Sequence, residues 1–111
     1  MGSFTRGEVV LFPFPYTDLT NRKLRPCLVI SEDMQDDIIL CQITSKKISK
    51  DIYSVELRKN ETRNGSLMID SYIRSNMIFT AIKKQIVRKL CSINDEKYNE
   101  VVSVIKKIIT K

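Results

Sequence analysis

The sequence has no histidine, few cysteines and no long hydrophobic run. Without histidine the usual nitrogen ligands of transition metals are missing, and no two cysteines have the Cys-x-x-Cys spacing of zinc or redox sites. Cys27, Cys41 and Cys91 are odd in number and stand among apolar neighbours, which predicts reduced thiols in a core. We therefore expect no metal, no cofactor and no disulfide framework.

The apolar runs are also too short to span a bilayer. The longest, Cys27 to Ile30 and Ile38 to Cys41, fall far below the roughly 20 residues that a membrane-spanning helix needs. The N-terminus lacks the basic-then-apolar layout of a secretion signal. These absences predict a cytoplasmic protein that does not contact the membrane.

Internal repeats, low-complexity tracts and linkers are absent as well, so the chain of 111 residues is predicted to form a single domain over residues 4–111. Its 42% hydrophobic and 29% charged residues are typical of a folded, soluble protein. The formal net charge of +6 favours a polyanion or an acidic protein as partner, with nucleic acid the first candidate. The alternative is that the positive charge serves solubility only.

Short β-rich segments fill most of the chain. Glu8 to Phe12 is the first, and the prolines and Thr-Asp pairs after it predict a long connecting loop over residues 13–26. An Asn64-Gly65 turn and a break near Lys83-Lys84 punctuate the later part. Apolar or alternating patterns predict further strands over residues 27–30, 36–44, 51–57, 67–82 and 85–93.

The C-terminal segment, residues 94–110, follows a helical pattern instead. Asn94 is the predicted N-cap, and acidic residues in the first turn and lysines near the end match the helix dipole. The predicted apolar face consists of Tyr98, Val101, Val102, Ile105, Ile108 and Ile109. Such a face either packs on the sheet or binds a partner. The residues thus predict a mainly β fold, a small curled sheet or barrel with a C-terminal α-helix closing one side.

Polar residues stand at the ends of two predicted strands. Arg25 precedes Pro26, which biases the arginine toward extended backbone and holds it where a buried strand begins. Thr44 and Ser45 end another strand, directly before Lys46. A surface ion pair and ordinary turn chemistry are the simpler interpretations of these residues.

A third polar group, Arg74 to Asn76, interrupts an apolar strand, where it indicates either a bulge or functional residues. Guanidinium and hydroxyl groups are suited to bind a phosphodiester and to stabilise the negative charge of its transition state. RNA carries its own nucleophile, the 2′-hydroxyl, so a protein that acts on RNA need only position the chain, neutralise charge and move protons. Arginine stays protonated near neutral pH, which leaves the general base unidentified.

Three blocks of the sequence resemble the MazF/PemK family of toxins from type II toxin-antitoxin systems. "RGEVVLFPFPYTDLTNRKLRPCLVIS" is similar to the family's opening, in which Arg-Gly-Asp/Glu starts a strand and Arg-Pro-x-Leu-Val-Ile follows a loop. "QITSK" is similar to the strand that ends in Thr-Ser or Thr-Ala, and "LMIDSYIRSNMIFTAIKKQIVRKL" looks like the third block of PemK-like members. The blocks occur in the family's order and cover almost the whole chain.

This resemblance implies a small SH3-like barrel of the MazF/CcdB type that forms a homodimer and cleaves single-stranded RNA at short sequence motifs without a metal. A cognate antitoxin would inhibit it, and any DNA binding would occur only through that antitoxin. The family's essential arginine and threonine fall on Arg25 and Thr44, and an arginine of PemK-like members falls on Arg74. Asn76 stands where those members have an aspartate.

The resemblance also implies residues that bind the substrate. In some relatives a histidine or glutamate of the first loop takes part, and here that loop offers Asp18. Tyr16 of the same loop either stacks on a base or packs on the barrel. Ser45, Lys46 and Asn76 are the remaining candidates for substrate contact. The competing hypothesis is a non-catalytic nucleic-acid-binding module, or a gyrase-poison-like toxin on the same fold.

Overall fold

A seven-stranded sheet and one C-terminal helix form the described part of the chain, which in this computed structural model comprises residues 3–15, 22–47 and 50–110. The elements are β1 (Glu8–Pro15), β2 (Arg22–Val29), β3 (Asp37–Thr44), β4 (Ser54–Leu57), β5 (Thr62–Arg63), β6 (Ser71–Ile82), β7 (Arg88–Ile93) and α1 (Asp95–Thr110). The strand order is β4-β6-β3-β2-β1-β7-β5, and the pairs of neighbouring strands are antiparallel. The predicted mainly β fold with a C-terminal helix is confirmed.

The prediction of an irregular loop over residues 13–26 was wrong at both ends. β1 continues to Pro15 and β2 begins at Arg22, and the two strands pair from Val9↔Leu28 to Pro15↔Arg22. Proline is tolerated here because β1 pairs with β7 only as far as Leu11, so the later residues of β1 form an edge of the sheet. The prolines of this segment therefore led to a loop prediction where β1 continues and β2 begins.

Two smaller predictions about chain reversals are confirmed. Asn64 and Gly65 both have positive φ angles, 57° and 130°. A short 3₁₀ turn over Lys83–Gln85 separates β6 from β7, at the predicted break. The first turn follows the end of β5, and the second lies between the end of β6 and the start of β7.

The sheet is covered on both faces, because successive residues of one strand belong to different apolar clusters. Val9 and Leu28 belong to the cluster that packs beneath α1, whereas their neighbours Val10 and Cys27 belong to a second cluster. That second cluster includes three aromatic rings whose centroids lie 5.1–5.8 Å apart, those of Phe12, Phe14 and Phe79. Burial on both faces explains why the central strands read as continuous apolar runs instead of alternating ones.

All three cysteines are free and buried. Burial raises the pKa of each thiol, that of Cys41 to about 12 and that of Cys91 to about 11, and it raises the pKa of Cys27 further. The native thiols should therefore react with a disulfide reagent at pH 8 at least ~100-fold more slowly than a free cysteine. Absorbance of the released thiolate measures this, and unfolding in guanidinium should make all three reactive. Fast modification of the native protein would contradict the assigned burial.

Helix α1 begins as predicted. The Asn94 side-chain oxygen accepts the Lys97 N–H at 2.7 Å, which is an N-cap. The Tyr98 hydroxyl donates to the Ile30 carbonyl at 3.0 Å and ties the first turn to the end of β2. Among the described residues, no helix combines the length and the apolar character needed to cross a membrane.

The predicted apolar face of α1 was only partly right. Val101 is fully buried, and Tyr98, Val104 and Ile105 pack against the same cluster. Val104 was not in the predicted face. Three predicted members are exposed instead, at 37%, 38% and 70%, namely Val102, Ile108 and Ile109. The helix packs mainly against β6 and β4, and its last turn keeps apolar side chains in contact with solvent.

Candidate functional site

Strands β2 and β3 separate at Pro26, and this separation opens the candidate site. Their ladder runs from Val29↔Leu40 to Cys27↔Gln42 and stops there, although both strands continue. The same register places Pro26 opposite Ile43, and proline has no N–H to give to a ladder. One position farther along each strand stand Arg25 and Thr44.

A surface cavity of about 380 Å³ lies where these strands separate. Arg25, Thr44 and Ser45 line it, so the structure places these three predicted site residues around one space. The remaining lining residues are Leu11, Lys23, Leu24, Pro26, Ile43, Ser66, Leu67, Met68, Ile69, Ser71, Arg88 and Leu90.

The cavity is positively charged. Lys23, Arg25 and Arg88 line it, and its described lining residues include neither aspartate nor glutamate. Within residues 3–15, 22–47 and 50–110, no carboxylate forms an ion pair with any of these three cations. Cations without acidic partners around a concave, partly apolar space are an arrangement that binds anions.

The Thr44 hydroxyl is oriented by the backbone that follows it. Its oxygen accepts the Lys46 N–H at 3.2 Å, which is a short turn closed by the side chain. Because the hydroxyl accepts this bond, its own proton is left to donate to a ligand in the cavity. Thr44 also pairs with Tyr72 of β6, which anchors its backbone in the sheet.

Arg74 lies in a bulge of β6, as one interpretation of its sequence context predicted. Cys41 pairs with Ile78 and Ile43 pairs with Ile73, so residues 74–77 lie opposite Gln42 alone. The Cys41 thiol donates to the Arg74 carbonyl at 2.9 Å, which helps to hold the bulge. The polar residues that interrupt the apolar pattern therefore mark a β-bulge, and Arg74 is its first residue.

The guanidinium of Arg74 is paired, unlike the cations of the cavity. Its Nε lies 3.8 Å from Oδ2 of Asp51, whose side chain is only 6% exposed. The Ser54 hydroxyl and the Tyr53 N–H donate to Asp51 at 2.6 and 2.8 Å. The Ser54 hydrogen bond is the main cause that holds the pKa of the Asp51 carboxyl below its usual range, and Arg74 adds to it. The carboxylate is thus charged at neutral pH and balances Arg74.

The other predicted residues have separate positions. Arg74 is not part of the cavity lining; it lies two residues from Tyr72, the partner of Thr44. Lys46 and Asn76 are exposed outside the lining. Tyr16 and Asp18 lie outside the described residues.

Sequence reasoning missed several residues of the cavity. Lys23 is an exposed cation of the predicted loop, and Arg88 is an exposed cation of a predicted strand. Residues 66–69 also line the cavity, and most of them belong to another predicted strand. The sequence offered one signal, the adjacent cations Arg88 and Lys89. Because successive residues of a strand point to opposite faces, this pair indicates a cation on each face of the predicted strand. Only the register of β7 shows which of the two faces the cavity.

The part of the chain that the structure describes contains no group of three or more cysteine, aspartate or glutamate residues arranged to hold a metal ion. The described polar side chains that line the cavity are cations and hydroxyls.

Residues 5–109 match the family described as "PemK-like, MazF-like toxin of type II toxin-antitoxin system". The chain belongs to the PemK/MazF toxin family. This agrees with the resemblance of the three sequence blocks and with their order. A search of curated protein sequences gave no match.

Solved structures of PemK/MazF toxins share the fold at low sequence identity. The MazE-MazF complex of Deinococcus radiodurans (Form-III) has a TM-score of 0.78 at 14% identity, covering 96% of this chain and 95% of that chain. An endoribonuclease in complex with its cognate antitoxin from Mycobacterial species has a TM-score of 0.70 at 16% identity, over 94% and 92%. The Mycobacterium tuberculosis toxin MazF-mt6 has a TM-score of 0.66 at 12% identity, over 88% and 93%.

Proposed function

We propose that this PemK/MazF toxin is an endoribonuclease that cleaves single-stranded RNA at short sequence motifs and thereby inhibits growth. One observation carries the proposal: Arg25 and Thr44 line the same cavity, whose other cations also have no acidic partner among the described residues. Family membership and the endoribonuclease named among the structural neighbours support it.

The proposed reaction uses the 2′-hydroxyl of the RNA as nucleophile and requires no metal. This oxygen bonds to the adjacent phosphorus as it loses its proton, and the bond from phosphorus to the 5′-oxygen breaks as that oxygen gains a proton. The products are a 2′,3′-cyclic phosphate and a 5′-hydroxyl. Arg25 stabilises the charge that develops on the phosphate oxygens, and the Thr44 hydroxyl donates a hydrogen bond to them.

Arg74 is the third residue that we propose to stabilise the transition state, although it does not line the cavity. Its charge is balanced by Asp51, so we assign it a smaller electrostatic contribution than Arg25. Ser45 is proposed to contact the RNA directly, because it shares the cavity with Thr44. Lys46 and Asn76 are proposed to contact the chain of the RNA beyond the cavity.

Incubation of the purified protein with a long unstructured RNA in the presence of EDTA tests the proposal. We expect discrete fragments that end in a 2′,3′-cyclic phosphate on one side and a 5′-hydroxyl on the other. Mapping of the fragment ends would reveal the sequence motif. Intact RNA after long incubation with protein of verified fold would contradict the proposal.

A non-catalytic nucleic-acid-binding module is the second candidate. It is favoured by the described lining of the cavity, which includes no aspartate, glutamate or histidine that could act as general base. Such a module would retain RNA in a salt-sensitive manner and leave it intact, whereas a gyrase poison would leave RNA alone and stabilise cleaved DNA. The incubation with RNA separates the nuclease from the other two. Retention of RNA at increasing salt identifies a binding module, and a DNA cleavage assay with gyrase identifies a gyrase poison.

We further propose that the chain forms a homodimer and is inhibited by a cognate antitoxin. The structural neighbours include toxins in complex with MazE or a cognate antitoxin, and the net charge of +6 favours an acidic partner. The exposed apolar side chains of Ile108 and Ile109 offer contact area. Size-exclusion chromatography with light scattering measures both assemblies.

A further inference from the structure

Arg88 reaches the cavity from the side opposite to Arg25. β1 lies between β2 and β7, and its residue Leu11 pairs with Pro26 on one side and with Arg88 on the other. The backbones of Pro26 and Arg88 are thus two strand spacings apart, roughly 10 Å. Both residues and Leu11 line the cavity. Arg25 and Arg88 therefore approach one space across a single strand.

The neighbour of Arg88 in sequence shows that this placement is specific. Lys89 does not line the cavity; its ammonium group pairs with Glu8 at 3.0 Å and lies 5.7 Å from the centre of the Phe4 ring. Arg88 is exposed and forms no ion pair with any described carboxylate. Of these two adjacent cations, Arg88 lines the cavity and has no ion pair with a described carboxylate, whereas Lys89 is paired with Glu8 outside the lining.

Exposed apolar side chains complete the wall of the cavity near Arg88. Met68, Ile69 and Leu24 are 88%, 54% and 48% exposed, and all three belong to the lining. A surface that combines unpaired guanidinium groups with exposed apolar groups suits a nucleotide, which has a charged phosphate and an apolar base face. A small inorganic anion would make no use of the apolar part.

We propose that Arg88 is a substrate-binding residue that contacts an RNA phosphate next to the scissile one, while Arg25 acts on the scissile phosphate. This inference rests on the proposed endoribonuclease function. It assigns the second guanidinium of the cavity to Arg88, a residue that the sequence comparison with the family did not single out.

The test compares Arg88→Gln with Lys89→Gln, two adjacent substitutions that remove the same charge. Binding is measured with a 2′-O-methylated RNA oligonucleotide, which lacks the nucleophile and stays intact. For Arg88→Gln we expect at least ~10-fold weaker binding, and a slope of log K against log salt that is reduced by about 0.7, the value for one phosphate contact on a single strand. Lys89→Gln should keep the wild-type slope.

Cleavage kinetics with unmodified RNA separate binding from catalysis. Arg88→Gln should raise KM about 10-fold and keep kcat within a few fold of wild type, and Arg88→Lys should restore part of the affinity because it keeps the charge. Equal slopes for Arg88→Gln and Lys89→Gln would overturn the inference. Because binding is measured with uncleavable RNA, wild-type protein that binds but does not cut would count against the proposed function alone. Thermal melting shows that each variant is folded.

Discussion

Replacement of Arg25 by alanine should reduce RNA cleavage by on the order of a hundredfold or more in kcat. The expected size follows from the loss of one preorganised donor to a charged transition state, which costs ~10²–10³ in rate in other enzymes. Arg25 lines the cavity together with Thr44 and has no ion pair with a described carboxylate. Its charge is therefore not balanced by an ion pair within the described residues. Single-turnover cleavage of a short RNA that contains the mapped motif measures the change.

Two further variants show whether this loss is chemical. Arg25→Lys keeps the charge but loses the planar pair of donors, so its rate should lie between that of wild type and that of Arg25→Ala. Arg63→Ala removes an exposed arginine that forms an ion pair with Asp95 at 3.7 Å and does not line the cavity, and it should cleave like wild type. Undiminished cleavage by folded Arg25→Ala would refute the catalytic assignment.

The sequence predicted the fold well where local pattern and tertiary structure agree. The cap at Asn94, the turn at Asn64-Gly65 and the break at Lys83 each follow from residues that act within a few positions of one another. The prolines of β1 misled because their local preference is for loops, whereas the pairing that admits them is a property of the sheet. Tertiary context outweighed propensity there.

The candidate site could be predicted only as a set of residues. Arg25 and Thr44 stood out because each follows or precedes a strong strand signal, and the structure places both in the lining of one cavity, where β2 and β3 separate. Arg88 gave no such signal, since its position depends on the pairing of β7 with β1, which are distant in sequence. The same limitation applies to Arg74, whose partner Asp51 becomes visible only in the structure.

Gly65 connects the stability of the fold to the cavity wall. Its φ of 130° is a conformation that side chains rarely adopt, and a Cβ atom added there would lie 2.0 Å from the Leu90 carbonyl oxygen. That contact is with backbone of β7 and cannot be relieved by a side-chain rotation. Leu90 and the segment Ser66–Ile69, which directly follows the glycine, line the cavity. Only glycine allows this close approach.

Gly65→Ala should therefore destabilise the protein by about 3 kcal/mol or more, at the upper end of single substitutions, because β7 or the turn must move to admit the methyl group. Gly7→Ala is the matched control: Gly7 also has a positive φ, 93°, but an added Cβ would come no closer than 3.8 Å to another heavy atom. That variant has backbone strain alone and should lose only about 1 kcal/mol. Urea unfolding followed by circular dichroism measures both values. Equal losses of unfolding free energy in the two variants would contradict this prediction, because the close approach to Leu90 would then cost nothing. RNA cleavage by the folded fraction of Gly65→Ala should fall only if residues 66–69 are displaced from the cavity.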